Sequence, residues 1–303
     1  VNPAKFVPRS AAGHGRFAPS PSGDLHLGNL RTALLAWLFA RSTGRGFVLR
    51  VEDLDRARSG SEEHQLADLA AIGLDWDGDV VRQSERLPRY ETAIARLHDA
   101  GSTYECFCTR REIQQAASAP HAPQGAYPGT CRDLTNSERA ALRATGRAPA
   151  LRLRATVNEL TITDELHGRY TGVVDDFVLR RGDLTPAYNL AVVVDDAEQK
   201  IDQVVRGDDL LPSTPRQVYL AHTLGLPVPA YVHVPLALNS QGQRLAKRDG
   251  PVTLADHLAA GRTTSDVVAI IAASLQLNGT TPAELLDRFD PAQLPRTPWV
   301  VTQ

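Results

Sequence analysis

The chain has 303 residues, 42% of them hydrophobic and 22% charged, the composition of an ordinary globular protein long enough to bury one large core or two smaller ones. No apolar run approaches the roughly 18 residues a membrane span needs. A formal charge of −2 does not mark a general nucleic-acid binder, so any RNA contact must be a local patch.

The opening segment, Val1 to Gly15, is rich in Pro, Ser, Gly and Ala and lacks a signal peptide's apolar centre; it reads as a floppy leader, and the expected address is cytoplasmic. Gly15 to Ala18 reads as a short strand. A Pro/Ser/Gly turn follows, then an amphipathic helix from about Asn29 to Arg41 that turns Leu30, Leu34, Trp37 and Leu38 inward. Phe47 to Val51 is the next strand, and Glu62 to Ile72 and Arg89 to Ala100 are helices. This alternation predicts an α/β fold with a parallel, nucleotide-binding sheet and helical crossovers. Between Ser118 and Gly129 the chain is rich in Pro, Ala, Gly and His without an apolar period, and reads as an excursion from that sheet. Arg139, Arg143, Arg147, Arg152 and Arg154 form the densest basic candidate for RNA, although such spacing is commonly a solvated helix face. The run Leu190 to Val194 is predicted as a buried strand, paired with Ile201 to Val205 after a turn at Asp195 and Asp196. From Val252 onward the spacing of Leu254, Leu258, Val267, Ile270, Ile271 and Leu275 predicts helix.

Two segments suit phosphate chemistry. Pro19 to Asn29 lies between the first strand and helix; its glycines permit close backbone approach, free N–H groups at a helix start attract anions, and the His26 imidazole can donate to a developing phosphoryl charge. A lone histidine on such a turn more often caps structure. The second segment, Arg244 to Gly250, is a basic, glycine-ended loop able to bring cations to a departing pyrophosphate. By itself it would be a solvated turn.

Together these segments resemble the HIGH and KMSKS signatures of class I aminoacyl-tRNA synthetases. The resemblance narrows to the glutamyl branch through Gly15 to Gly23, Leu25-His26-Leu27-Gly28, Arg31 to Leu34, Arg50 to Arg56, Gly73 to Asp77 and Tyr188 to Gly250, and covers roughly Gly15 to Gly279. It implies a class I Rossmann-like catalytic domain over 15–250, interrupted at about 104–134 by a zinc-binding insertion, and a small helical, stem-contact-like unit over 251–303. It also implies an L-glutamate pocket of Arg16, Phe17, Ala18, Pro19, Ser20, Glu52, Tyr188 and Arg206, and an ATP site of His26, Gly28, Asn29, Arg244 and Lys247, with His26 and Lys247 catalytic and magnesium accompanying the triphosphate. The pocket's residue types also make sense on their own terms. Glutamate offers two carboxylates and one ammonium, and Arg16, Arg206 and Glu52 are the electrostatic complement. Where the glutamyl branch commonly reads Lys-Leu-Ser-Lys-Arg, this chain has Arg244-Leu245-Ala246-Lys247-Arg248, keeping the second lysine and losing a serine hydroxyl.

Three cysteines is an odd number, and Cys106 and Cys108 are too close for a structural disulfide, so metal binding is the better explanation. Cys106, Cys108 and Cys131 would supply three of the four ligands zinc takes. For the fourth, chemistry alone favours His121, a neutral donor, over a phenol that must lose its proton. Resemblance to the zinc-bearing glutamyl-queuosine tRNA(Asp) synthetases, with Cys-x-Cys and Tyr-x-x-x-Cys, implies Tyr127. Residues 251–303 are too few for an anticodon-binding domain of typical size, which points to the same branch. Its implied activity is activation of glutamate without tRNA and transfer to queuosine in the anticodon loop of tRNA(Asp), by a monomer. A fragment of a conventional glutamyl-tRNA synthetase and a non-catalytic tRNA-binding paralogue are the alternative readings.

Overall fold

The computed structural model describes residues 13–55, 57–109, 111–113, 126–243, 245 and 252–301; the leader reading falls largely outside them. Strand β1 (His14–Phe17) passes through a turn into helix α1 (Leu27–Ser42). The strand, turn and helix expected from sequence are all present. However, α1 is not a surface helix with one apolar stripe: nearly every residue from Leu30 to Ala40 is buried. A helix apolar on all sides belongs at the centre of a core. Its cluster joins Leu34, Leu38 and Phe39 to sheet residues Phe47, Leu49 and Val232 and to C-terminal residues Val267, Ile271 and Leu285. Gly15 permits the close approach of β1 to α1, since a Cβ there would stand 2.8 Å from the Ala40 Cβ.

On one side β1 pairs in parallel with β2 (Gly46–Val51), and β2 with the short β3 (Val81–Arg82). Helices α2 (Ser61–Ala71) and α3 (Leu87–Asp99) follow close to their expected bounds. A second, three-stranded antiparallel sheet is built from β4 (Thr103–Cys106), β5 (Ala150–Leu153) and β8 (Val178–Arg180), with α4 (Asn136–Ala144) between the first two in sequence. Strands β6 (Glu159–Asp164) and β7 (Gly168–Val173) form an antiparallel hairpin at the far edge of the main sheet. Its centre is completed by β9 (Ile201–Gly207) and β10 (Ala230–Val234), giving the order β3-β2-β1-β9-β10-β6-β7, parallel except for the hairpin. The α/β class with a mostly parallel sheet is as expected.

One element differs from its expectation. Leu190 to Val194 is not a strand but the middle of helix α5 (Tyr188–Glu198), and Asp195 and Asp196 form its last turn rather than a β-turn. A short, wholly buried apolar run has no polar face to reveal its period, so helix and strand look alike in sequence. Here the run lies between α3, α6 (Thr214–Leu224) and the sheets, sharing a cluster with Tyr90, Leu97, Leu179 and Leu220. Lys200, in the left-handed region at φ 56°, then turns the chain into β9.

The C-terminal segment is helical as expected, with α7 (Leu254–Ala259), α8 (Thr264–Ser274) and α9 (Pro282–Leu286). Threonine capping boxes open the first two, each side chain accepting from a backbone N–H three residues on. A short parallel pair, β11 (Ala237–Leu238) with β12 (Trp299–Val300), ties the end of the chain to the centre. Among the described residues no helix is long and apolar enough to cross a membrane.

Candidate active site

The carboxyl ends of β1, β2 and β9 and the start of α1 surround a cleft of about 710 Å³. In parallel sheets that end is where ligands bind, because loops diverge there and helix N-termini point inward. Arg16, Phe17, Ala18, Pro19, Ser20, His26, Gly28, Asn29, Glu52, Tyr188 and Arg206 all line this cleft. Residues separated by 190 positions in the chain are thus brought to one place. Arg244 and Lys247 lie outside the described residues.

Beneath the cleft is a buried ion network that sequence reading missed. The Arg16 guanidinium donates to both carboxylate oxygens of Asp196, at 3.3 and 3.4 Å. Arg50, fully buried on β2, donates to Asp196 at 2.8 Å and to Glu52 at 3.3 Å. Burial alone would raise the Asp196 carboxyl, but the Arg16 and Arg50 guanidiniums outweigh it and hold the group below its ordinary value. Glu52 is different: burial raises its carboxyl despite Arg50 and Arg16. A further cation at that carboxylate would therefore be stabilising, which is what a ligand ammonium would supply. Asp195 accepts from Gln83, Arg86 and Tyr90, at 2.6 to 2.9 Å for the shortest contact of each. The sequence did hold a signal for this network: two acids adjoining a buried apolar run, and an arginine inside the strand Phe47 to Val51, can only be buried as partners.

On the other wall, Arg206 leaves β9 buried, lies over the Tyr231 ring at 5.3 Å from its centroid and makes three hydrogen bonds. Nη1 donates to the Tyr188 hydroxyl at 3.4 Å, Nη2 to Thr214 Oγ1 at 2.8 Å, and Nε to His233 Nε2 at 3.1 Å. His233, on the neighbouring β10, faces Asp164 at 2.7 Å through its other ring nitrogen.

His26 is the structural cap that its sequence position suggests. It caps α1, its Nδ1 accepting from the Asn29 N–H at 3.2 Å while the Asn29 side chain accepts from the His26 N–H at 3.1 Å, and it also lines the cleft. The reciprocal cap explains why asparagine suits position 29: a carboxamide oxygen can accept there at the N3 position. Gly28 sits in a tight place, since a Cβ would stand 3.0 Å from both the His26 ring and the Ala237 methyl.

Away from the cleft, Cys106 at the end of β4, Cys108 and Cys131 bring their sulfurs within 4.8 Å of one another. Cys108 and Cys131 are 3.5 Å apart, and the Tyr127 hydroxyl lies 3.3 Å from the Cys106 sulfur and 3.7 Å from that of Cys108. Bonds of about 2.3 Å to a tetrahedral zinc place neighbouring sulfurs roughly 3.7 Å apart, so the donor set fits that ion. His121 lies outside the described residues. Burial, with the neighbouring sulfurs, pushes the Cys108 thiol up to about 12. Burial also favours the neutral thiol of Cys106, but the Tyr127 hydroxyl and Arg152 outweigh it and lower that pKa. Arg152 stacks over the Tyr127 ring, its guanidinium carbon 3.6 Å from the centroid.

The five arginines proposed as a basic patch do not share a face. Arg139 and Arg143 lie on α4, but Arg152 is buried on β5. Arg143 pairs with Glu105 at 2.6 Å, Arg154 with Asp133 at 3.1 Å, and Arg147 donates to the Phe107 carbonyl at 2.7 Å. Carboxylate or carbonyl partners thus engage Arg143, Arg147 and Arg154.

The family described as tRNA synthetases class I (E and Q), catalytic domain, matches residues 14–297. A glutamyl-Q tRNA(Asp) synthetase of Nocardia farcinica is 71% identical over 290 residues, covering 96% of this chain and 93% of the relative. Its counterpart in Cutibacterium acnes is 53% identical, covering 94% and 82%. Among solved structures, a glutamate tRNA ligase of Elizabethkingia meningosepticum in complex with its amino acid superposes with a TM-score of 0.82 at 28% identity, over 96% of this chain and 67% of that one. With its cleft, its signature turn and these relatives, the chain belongs to the glutamate and glutamine branch of the class I tRNA synthetases, in the glutamyl-Q tRNA(Asp) synthetase family.

Proposed function

We propose that this chain condenses L-glutamate with ATP to glutamyl-adenylate without tRNA, then transfers the glutamate to the cyclopentene diol of queuosine in the anticodon loop of tRNA(Asp). The observation that carries the first half is the presence of Arg16, Arg206 and Glu52 in one cleft beside the N-terminus of α1. Two guanidiniums complement the two carboxylates and Glu52 complements the ammonium. The reaction needs no general base, because a carboxylate ionised at neutral pH can attack the α-phosphorus directly while pyrophosphate leaves. The chain's contribution is therefore positioning and charge: the N-terminus of α1 and His26 would face the phosphates, and Lys247 would serve the departing pyrophosphate. Magnesium, when bound with the triphosphate, would neutralise part of its charge.

The transfer half rests on the relatives' names and is tested by supplying labelled glutamate, ATP and tRNA from cells with or without queuosine. Label is expected only on the queuosine-bearing pool. Equal labelling of both pools would refute the assignment and favour a fragment of a conventional glutamyl-tRNA synthetase, whereas no glutamate-dependent pyrophosphate exchange would favour a non-catalytic paralogue.

A zinc ion is proposed at Cys106, Cys108, Tyr127 and Cys131, where a closed four-ligand shell would cross-link the end of β4 to the loop at 126–131. Metal analysis is expected to find about one zinc per chain, lost in Cys131→Ser together with thermal stability of the insertion. Retention of full zinc by Tyr127→Phe would move the fourth ligand elsewhere, His121 being the other candidate.

A further inference from the structure

We propose that His233 and Asp164 are positioning residues for glutamate: as a fixed-tautomer pair they hold the Arg206 guanidinium edge-on to the cleft. The inference rests on the reading of Arg206 as a carboxylate ligand.

The geometry dictates the protons. Asp164 and His233 are both fully buried, and Asp164 ends β6 next to β10, while His233 lies opposite Arg206 in the β9–β10 register. The Asp164 carboxylate accepts four hydrogen bonds: Oδ1 takes the N–H groups of Leu166 and His167 at 2.9 Å, and Oδ2 takes the His233 N–H at 3.0 Å and its ring Nδ1–H at 2.7 Å. A carboxylate so surrounded by donors stays ionised. The ring proton must therefore sit on Nδ1, which leaves the Nε2 lone pair to face Arg206. Arg206 has only donors, and its Nε–H points at Nε2 from 3.1 Å. A proton on Nε2 would set donor against donor. Burial, against the pull of Asp164, lowers the His233 pKa and so agrees with the neutral ring.

The guanidinium is planar, so fixing one edge fixes the rest. With Nε on His233 and Nη2 on Thr214 Oγ1, Nη1 is left on the Tyr188 side, where both residues line the cleft. Tyr188 is 41% exposed and cannot hold this orientation by packing, so the ordering must come from the buried side. A site that holds its charged group in place before the ligand arrives binds more tightly, because that ordering is not charged against binding.

The test uses glutamate-dependent pyrophosphate exchange on the full chain. In His233→Leu the glutamate KM should rise about tenfold or more, with the ATP KM within about twofold, as expected when the hydrogen bond that orients a charged group is lost along with the ring's contacts to Asp164 and to Thr214 Oγ1, the latter 3.0 Å from the same Nε2. His233→Gln, whose carbonyl oxygen can accept from Arg206 Nε–H, should recover most of that loss. A Gln variant no better than Leu, or a Leu variant with unchanged glutamate KM, would overturn the positioning role. Arg206→Ala separates the two ideas: if it too leaves the glutamate KM unchanged, the reading of Arg206 itself fails, and if it alone raises KM, only the relay fails. Should His233→Leu not fold, nitrogen NMR of histidine in the wild-type chain decides. The His233 ring should carry its proton on Nδ1 with Nε2 bare at neutral pH, and a protonated Nε2 would overturn the proposal.

Discussion

Replacing Glu52 by Gln is expected to reduce kcat/KM for glutamate in pyrophosphate exchange by ~100-fold or more, with little change in the ATP KM. Glutamine keeps the size of the side chain and can still accept from Arg50, which retains Asp195 and Asp196 as anionic partners, so the fold should tolerate it. What disappears is the charge proposed to face the substrate ammonium. Removing one partner of a buried ion pair costs about 3–5 kcal/mol, and each 1.4 kcal/mol is about a factor of ten. Burial has already raised the Glu52 carboxyl, so this group gains more from an arriving cation than an exposed acid would. A Gln variant within about threefold of wild type would mean that the ammonium is held by another group.

The second large effect is on stability. Asp196 lies between Arg16 and Arg50 with its side chain 7% exposed, and no other acceptor among the described residues touches both guanidiniums. Asp196→Asn should cost about 3–5 kcal/mol, because it leaves buried cations undercompensated. In thermal unfolding that would be a fall on the order of 10 °C. Glutamate affinity should fall with it, since Arg16 loses the carboxylate that aims it. The pH dependence has a definite sign. Because the folded-state pKa of Asp196 is depressed, its contribution is fully present above the ordinary carboxylate pKa and is lost as pH falls through the folded value. The wild type should therefore lose this contribution on acidification, while Asp196→Asn should show a flatter curve below about pH 4.

Much of this was legible in the sequence, for identifiable reasons. The turn from Pro19 to Asn29 and the elements on either side announce themselves through Pro, Gly and the apolar spacing of α1. The proposed pocket residues came from the resemblance to the glutamyl branch, and the charges of Arg16, Arg206 and Glu52 suit a ligand with two carboxylates and an ammonium. The cysteine cluster follows from a spacing that forbids a disulfide, and the fold brings its three sulfurs together. What the sequence hid was the second layer. Leu190 to Val194 carries no periodic polar face, so its helical state, and with it the burial of Asp195 and Asp196, depends on packing against α3 and α6. The same holds for Asp164 and His233: each is an unremarkable polar residue in a strand until β6, β9 and β10 are set side by side. The arginines from Arg139 to Arg154 were legible as charge but not as patch, because their acidic partners come from other segments, such as Glu105 and Asp133.

The central claim is that an acidic amino acid is held between Arg16, Glu52 and Arg206 with its α-carboxylate turned toward the start of α1. A crystal structure with a non-hydrolysable glutamyl-adenylate analogue tests it most directly. The ligand ammonium is expected within hydrogen-bonding distance of Glu52, the side-chain carboxylate on a guanidinium of Arg16 or Arg206, and the phosphate at the His26 turn. An analogue seated elsewhere, or one in this cleft touching none of those three charged residues, would contradict it.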